Sequence, residues 1–259
     1  MKLIESSVEI WKQEPGIEGM YEHIERCARL CYRSENKSNV TSEQFVKSLI
    51  KRKHFRPLEF GTLILNEGHC NTFFDRMIDG KVVTNFRRFV EYYPSSWEER
   101  LSSVSFDNVN NYRPTIHWNI SRGIADEFRT HVSISSLMES TRYVNYKNKG
   151  LEFVKPYWFD NFNKPCNKNG YREDGTTDMF DSRDFIDFLD GCEKTYLCAI
   201  IAGAKPQEAR EILPLCIATN FVQCSFEDNW KNFFNQRCNI DAHPDAQLIA
   251  NKAKELLKF

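Results

Sequence analysis

The chain has 259 residues, enough for one sizeable core without a second domain. A formal charge of -1 and a pI near 6.6 supply no extended field for a nucleic-acid backbone, so any phosphate is expected in a local pocket. Nine cysteines, an odd number set mostly in apolar runs, point to reduced thiols in a cytoplasmic protein rather than a disulfide scaffold. Cys27 and Cys31 are four apart, yet no second pair stands at ligand spacing, and no metal site is expected. No apolar run reaches membrane-spanning length and the first residues lack a signal-peptide core, so no membrane partner is expected.

In chain order, Ile4 to Trp11 alternates as a strand ended by Pro15-Gly16. Met20 to Arg33 reads as a helix with Ile24, Cys27, Ala28 and Cys31 inward and Arg26 and Arg29 toward the other face. Thr41-Ser42-Glu43-Gln44 is a capping box opening a second helix. Gly61 to Leu65 reads as a buried strand. Within 67–117, Phe73 to Met77 reads as a helix start and Val82 to Tyr93 as a helix stopped by Pro94. Leu151 to Val154 is a short strand, and the polar stretch Asn161 to Asp181 is a surface loop whose aspartates do not follow a calcium-loop order. Ser182 opens a long helix through Ile200, and Pro206 sits in the first turn of another carrying Ala209, Ile212, Leu213, Cys216 and Ile217 inward. Ser225 to Asp228 is expected to cap a helix of Trp230, Phe233 and Phe234, and Pro244 to Leu257 forms the last helix.

The stretch Phe128 to Tyr146 organises the rest. Ile120, Ile124, Phe128 and Val132 recur every four residues, which predicts one inward helix face with Arg129, His131 and Ser135 on the other. A hydroxyl-rich turn then ends in Glu139, Ser140, Thr141 and Arg142. Two readings fit: a capped helix end with a solvated turn, or a site for a phosphorylated, uracil-like ligand.

Ser140-Thr141-Arg142-Tyr143, with His131 upstream, resembles the signature of flavin-dependent thymidylate synthases of the ThyX type, in which Arg-His-Arg precedes the serine by seven residues. Here the two flanking arginine positions hold Thr130 and Val132. The run Gln207 to Leu215, the run Asn229 to Arg237, and His54 to Phe60 resemble three further family segments, with Phe60 where the family carries a flavin-contacting histidine. The resemblance implies an α+β fold, a single ThyX-like domain of helices on a small mixed sheet over residues 1–259, with an insertion at about 67–117.

It further implies reductive methylation of dUMP at uracil C5, with FAD, NADPH and methylenetetrahydrofolate, in a homotetramer with sites between subunits. Carried over by position, Arg237, Ser140 and His131 are the candidate catalytic residues. Arg142, Arg210, Glu139, Ser140 and Glu127 are the candidate substrate contacts, and His131, Asn232, His54 and Arg129 the candidate flavin contacts. Ser140 is expected to hold nucleotide rather than attack, since no base adjoins it. Thr130 and Val132 cannot meet a diphosphate as guanidinium groups do. Lys81, Arg87, Arg88 and Arg129 are the nearby cations available to replace them, a choice that spacing leaves open.

Overall fold

Four antiparallel strands, in sheet order Ser7–Trp11, Thr115–Ser121, Ala218–Cys224 and Ser135–Met138, place the site, and alternation along each strand decides what packs on either face. The structure, a computed structural model, describes residues 1–34, 39–66, 68, 70, 72–148, 150–161, 164–166 and 178–259. The chain runs through β1 (Lys2–Ile4), β2 (Ser7–Trp11), α1 (Gly16–Leu30), α2 (Ser42–Lys51), a 3-10 turn at Arg56–Phe60, and β3 (Thr62–Leu65). Next come β4 (Arg76–Ile78), β5 (Lys81–Asn85), α3 (Phe86–Tyr92), α4 (Trp97–Arg100) and α5 (Val109–Tyr112). Then follow β6 (Thr115–Ser121), α6 (Arg122–Phe128), β7 (Ser135–Met138), β8 (Glu152–Val154), β9 (Lys164–Cys166) and β10 (Asp178–Phe180). The remainder is α7 (Ser182–Ile201), α8 (Pro206–Ala209), β11 (Ala218–Cys224), α9 (Glu227–Arg237) and α10 (Pro244–Leu257).

One face of the four-stranded sheet carries Ile116, Trp118, Ile120 and Phe221 against Phe128 of α6, Trp230 and Phe233 of α9, and Ala250 of α10. The next residue of β11, Val222, turns to the other face and joins Cys224, Trp11 and Phe60 against Cys27 and Leu30 of α1. The sheet is thus covered by helices on both sides, a layered arrangement that removes both apolar faces from water.

A second antiparallel sheet, β3-β5-β4, packs with α1, α2 and α3 around Met20, Ile24, Leu63, Phe86 and Phe89. Gly61 lets this layer approach α1, because a Cβ there would lie 2.6 Å from Ile24 Cδ1 and 2.9 Å from Met20 Cγ. The described residues of the segment 67–117 therefore contribute to packed cores, consistent with its apolar content. A parallel pair, β1 with β8, lies beside the α7 core of Leu189 and Tyr196.

The helices opening at Ser42, Ser182 and Pro244, the α1 helix and the strand β3 follow the sequence expectation, and Thr41 makes both bonds of its capping box. Several elements differ. The alternating residues Ile116, Trp118 and Ile120 lie on β6, so the four-residue spacing from Ile120 to Val132 does not run along one helix. Helix α6 ends at Phe128, and Val132 is 89 % exposed rather than inward. The serines expected in a turn lie partly on β7, with Ser135 fully buried.

The expected strand from Ile4 to Trp11 is two strands in separate sheets. The segment Phe73 to Met77 enters β4 instead of a helix, and Val82 to Tyr93 is split into β5 and α3 because Asn85 caps the helix through Arg88 N–H. Arg29 is buried, paired with Glu25 and set over the Phe45 ring, so its charge is satisfied inside. The helix at Pro206 stops at Ala209 and tightens into a 3-10 turn at Arg210–Ile212, leaving Cys216 outside it. Phe226 occupies the N-cap of α9 without a side-chain cap bond, and Ser225 donates instead to Ser133 O. Parts of the expected 161–181 loop pair as β9 and β10; Asp174 lies outside the described residues.

Truncating Phe221 to Ala, which opens a hole between β11 and α9, is expected to lower the unfolding free energy by about 3–5 kcal/mol. Val132→Ala is expected to stay within about 0.5 kcal/mol, and denaturant titration of both variants checks the assignment.

Candidate functional site

After β7 the chain turns through Glu139 to Arg142, and a buried carboxylate holds that turn. Glu139 is 1 % exposed. Its Oε2 accepts from Arg33 Nε at 2.6 Å and Asn220 Nδ2 at 3.0 Å, and its Oε1 accepts from the Tyr146 hydroxyl at 2.8 Å. Its backbone N–H donates to Asn220 O, and Arg122 donates to its carbonyl. Removing a carboxylate from water costs several kcal/mol unless donors replace the solvent, and three side-chain donors do so here. Burial, with the adjacent Glu139, raises the Tyr146 pKa well above the usual phenol value. Asn220 continues the network to His117 Nε2 at 3.1 Å, and His117 Nδ1 lies 3.0 Å from Glu9.

Ser140 N–H donates to Cys31 O, tying the turn to the end of α1, and Ser140 Oγ accepts from Arg142 N–H at 3.3 Å. Arg142 is exposed over the Tyr143 ring, and among the described residues no carboxylate lies in ion-pair range of it. Tyr143 in turn meets Tyr32, with ring centroids 5.1 Å apart.

A second cluster forms where α9 ends beside α6. Arg237 donates through Nε to His131 Nε2 at 3.0 Å, and through its terminal nitrogens to the Glu127 carboxylate at 3.0 Å, Glu127 O at 2.8 Å and Thr130 Oγ1 at 3.2 Å. His131 is buried beside Phe233. Burial, then the Arg237 charge, lowers its pKa to about 4, so at neutral pH the ring is uncharged and accepts at Nε2. Glu127, His131 and Arg237 thus come together, as do Glu139 and Ser140 at the other cluster. Arg210 pairs with Glu211, Arg129 with Asp126, and Asn232 accepts from Gln236, each on an exposed or half-exposed surface.

His54 lines a cavity of about 650 Å³ with Tyr32, Phe45, Phe55 and Leu137. A neighbouring cavity of about 660 Å³ is lined by Arg56, Arg76, Arg87, Arg88, Asn85 and Phe73, among others. The two share Arg56 and Arg87, and Glu59, 1 % exposed, accepts from both of those arginines. Two buried donors in the walls of the arginine-lined cavity, Asn85 Nδ2 and Arg88 Nε, have no hydrogen-bond partner among the described residues, and both atoms are closed off from its open space.

That observation bears on a flavin dinucleotide. At the signature, Val132 points to solvent and Thr130 bonds within the second cluster, so neither position offers a cation. The guanidinium groups of the arginine-lined cavity are already met by Glu59, Glu91 and Asp228, with Asp75 beside Arg88, so their charges are balanced where they stand. Sequence reasoning missed Arg33 and Asn220, which stand 106 and 81 residues from Glu139 and carry no local signal.

Among the described residues, no group of three or more His, Cys, Asp or Glu is arranged to hold a metal, and no helix is long and apolar enough to cross a membrane.

Residues 111–258 match the family model Thy1, thymidylate synthase complementing protein. The chain belongs to this family, the ThyX or flavin-dependent thymidylate synthase family. Among solved structures it is similar to a UMP/dUMP methylase PolB from Streptomyces cacaoi bound with 5-Br UMP, at 13% identity and a TM-score of 0.48, covering 98% of this chain and 90% of that one. The comparison with curated proteins gives no match.

Glu139→Gln is expected to cost about 3–5 kcal/mol, because it removes the buried charge on which the Arg33, Asn220 and Tyr146 donors converge and sets an amide N–H against them; chemical denaturation measures it. The depressed His131 pKa also sets a pH window. Its contribution to stability is present above the unfolded value of 6.5 and is lost as pH falls from there through about 4. The stability-pH slope in that window is therefore expected to be shallower for His131→Gln than for the parent protein. Equal slopes would remove His131 from the account.

Proposed function

We propose that the chain binds dUMP and methylates its uracil ring at C5, using methylenetetrahydrofolate as the one-carbon source, and FAD with NADPH as the reductant. Membership of the ThyX family supports this reading, and the observation that carries it within the site is Arg142. An exposed guanidinium without a carboxylate partner among the described residues, on a turn pinned by a buried Glu139, is preorganised for an anion. Tyr32 links this turn to the cavity holding His54, so a nucleotide on Arg142 would lie beside space for a second ring.

In this reading Arg142 and Arg210 hold the nucleotide phosphate or base, and Glu127 and Glu139 orient arginines. Ser140 shapes the turn, since its hydroxyl already accepts the Arg142 N–H. Arg237 polarises the uracil from the position that Glu127 and His131 fix, and the uncharged His131 leaves that guanidinium the only charge of the two. His54, Asn232 and Arg129 contact the flavin in the same reading. FAD, when bound, supplies the hydride that methylation consumes. A homotetramer with sites between subunits would bring Arg210 to a neighbouring turn and cover the exposed Phe188, Ile201 and Leu215. A cytoplasmic setting agrees with the unbridged cysteines among the described residues.

The second reading, a divergent homologue that binds a uridine-type nucleotide with altered or no methylation and without FAD, is favoured by one observation. Thr130 and Val132 replace both cations of the signature, and Arg237 is engaged within the chain.

Arg142→Ala is expected to weaken dUMP binding by about tenfold or more while leaving the melting temperature unchanged, as removal of a charge-assisted contact to a phosphate predicts. Calorimetric titration of both proteins with dUMP measures this, and unaltered affinity would reject the assignment.

A further inference from the structure

The chain of hydrogen bonds that ends on the signature turn begins at an imidazole that the proposed chemistry leaves without a role. His117 lies on β6 with 14 % of its side chain exposed, stacked on the Trp11 ring at 4.3 Å and 14°. Its Nε2 is 3.1 Å from Asn220 Oδ1, and its Nδ1 is 3.0 Å from Glu9 Oε1. Charged groups face the ring from two elements: Glu9 on β2, whose Oε1 also accepts from Trp11 Nε1, and Arg26 on α1, set over the Trp11 ring at 3.8 Å. On a third side stands the Asn220 amide of β11, and beyond it the ion pair of Glu139 with Arg33.

Hydrogen-bond polarity fixes the direction of each link. Glu139 Oε2, paired with Arg33, accepts, so Asn220 must present Nδ2 to it at 3.0 Å. That leaves Asn220 Oδ1 for His117, and a carbonyl oxygen requires an N–H there. Glu9 asks the same of Nδ1. Burial, with Arg26 adding to it, outweighs the pull of Glu9 and Asn220 and holds the His117 pKa below its ordinary 6.5. At neutral pH the ring therefore carries one proton for two acceptors. Their competition is unequal, because the Glu9 side chain is 59 % exposed and open to hydration, whereas Glu139 is buried. A proton on Nδ1 alone would set the Nε2 lone pair against Asn220 Oδ1. Flipping the amide to relieve this would turn its oxygen onto the Glu139 carboxylate, a repulsion inside the protein.

We propose that His117 is a positioning residue for the nucleotide site: its Nε2–H locks the Asn220 amide, the amide locks Glu139, and Glu139 holds the turn that presents Arg142. Acid adds the second proton at Nδ1, brings Glu9 into the chain and tightens the turn. The assignment rests on the reading of Arg142 as the nucleotide contact, and adds to it a group on β6 that sets how well that contact is ordered.

Nitrogen NMR of the ligand-free parent protein reads the ring directly: Nε2–H is expected at neutral pH, with a second proton at Nδ1 on acidification below 6.5. Amide exchange of Ser140, Tyr143 and Val144, whose N–H groups are bonded in the turn, reads its order without nucleotide. His117→Phe keeps a ring against Trp11 and deletes the donor. With its fold confirmed by circular dichroism, it is expected to speed that exchange and weaken dUMP binding, each by about fivefold. His117→Gln offers an N–H but does not titrate; it is expected to restore both at neutral pH and to lack the extra protection that the parent gains in acid. A packing role alone predicts the reverse ranking, with Phe the better substitute. An Nδ1–H ring at neutral pH, or parent-like exchange in folded His117→Phe, would overturn the assignment. A parent protein that binds no dUMP, while exchange follows the ring as described, would sink the nucleotide reading and leave His117 as the residue that orders the turn.

Discussion

The Glu139 carboxylate is the point on which the signature turn depends. It joins Arg33 just beyond α1, Asn220 in the middle of β11 and Tyr146 after the turn, so three distant parts of the chain converge on one buried charge. Such a charge is tolerated only because its oxygens are met by donors, and the same condition fixes the backbone around it. Ser140 and Arg142 inherit their position from that condition. A surface loop with the same residues would have many conformations and would have to be ordered at the expense of binding free energy.

The chain divides its tasks between two layers. The antiparallel sheet and its flanking helices, most of which lie in residues 111–258, hold the Ser140-Arg142 turn and the Arg237-His131-Glu127 cluster. The earlier residues build a second sheet against α1, with Gly61 allowing the close approach, and supply the arginine-lined cavities. Arg237 shows how local demands shape a site: a helix-end cation is stabilised by the macrodipole, and here it also satisfies two acceptors at the end of α6.

Where local chemistry decides the outcome, the sequence was legible. The Thr41 box, the Ser182 start of α7 and Pro206 in the first turn of α8 need only neighbours along the chain, and all are found. The Ser140-Thr141-Arg142-Tyr143 pattern led to the family for the same reason. Ile120, by contrast, belongs to two periodicities at once: with Ile116 and Trp118 it alternates as a strand, and with Ile124 and Phe128 it repeats as a helix. Pairing with β11 decides in favour of the strand, and that partner lies about a hundred residues later. The strand β11 itself was not expected, and neither were Arg33 or Asn220 as partners of Glu139. Each takes its role from a tertiary neighbour, which residue type and spacing do not encode.

The strand order has a consequence for how the molecule is made. Strands β6 and β7 both pair with β11, whose residues 218–224 are synthesised after both. Until then β2 and β6 can form a two-stranded ribbon, but β7 has no strand partner among the described residues and Glu139 lacks the Asn220 amide. Vectorial synthesis therefore leaves a sheet edge open until β11 is made, and an unpaired edge is a template for wrong pairing. The earlier layer, β3-β5-β4 with α1 and α2, draws on residues 16–92 and can collapse long before. The arginine-lined groove would then be assembled early, while the turn bearing Arg142 is locked only when the central strand arrives.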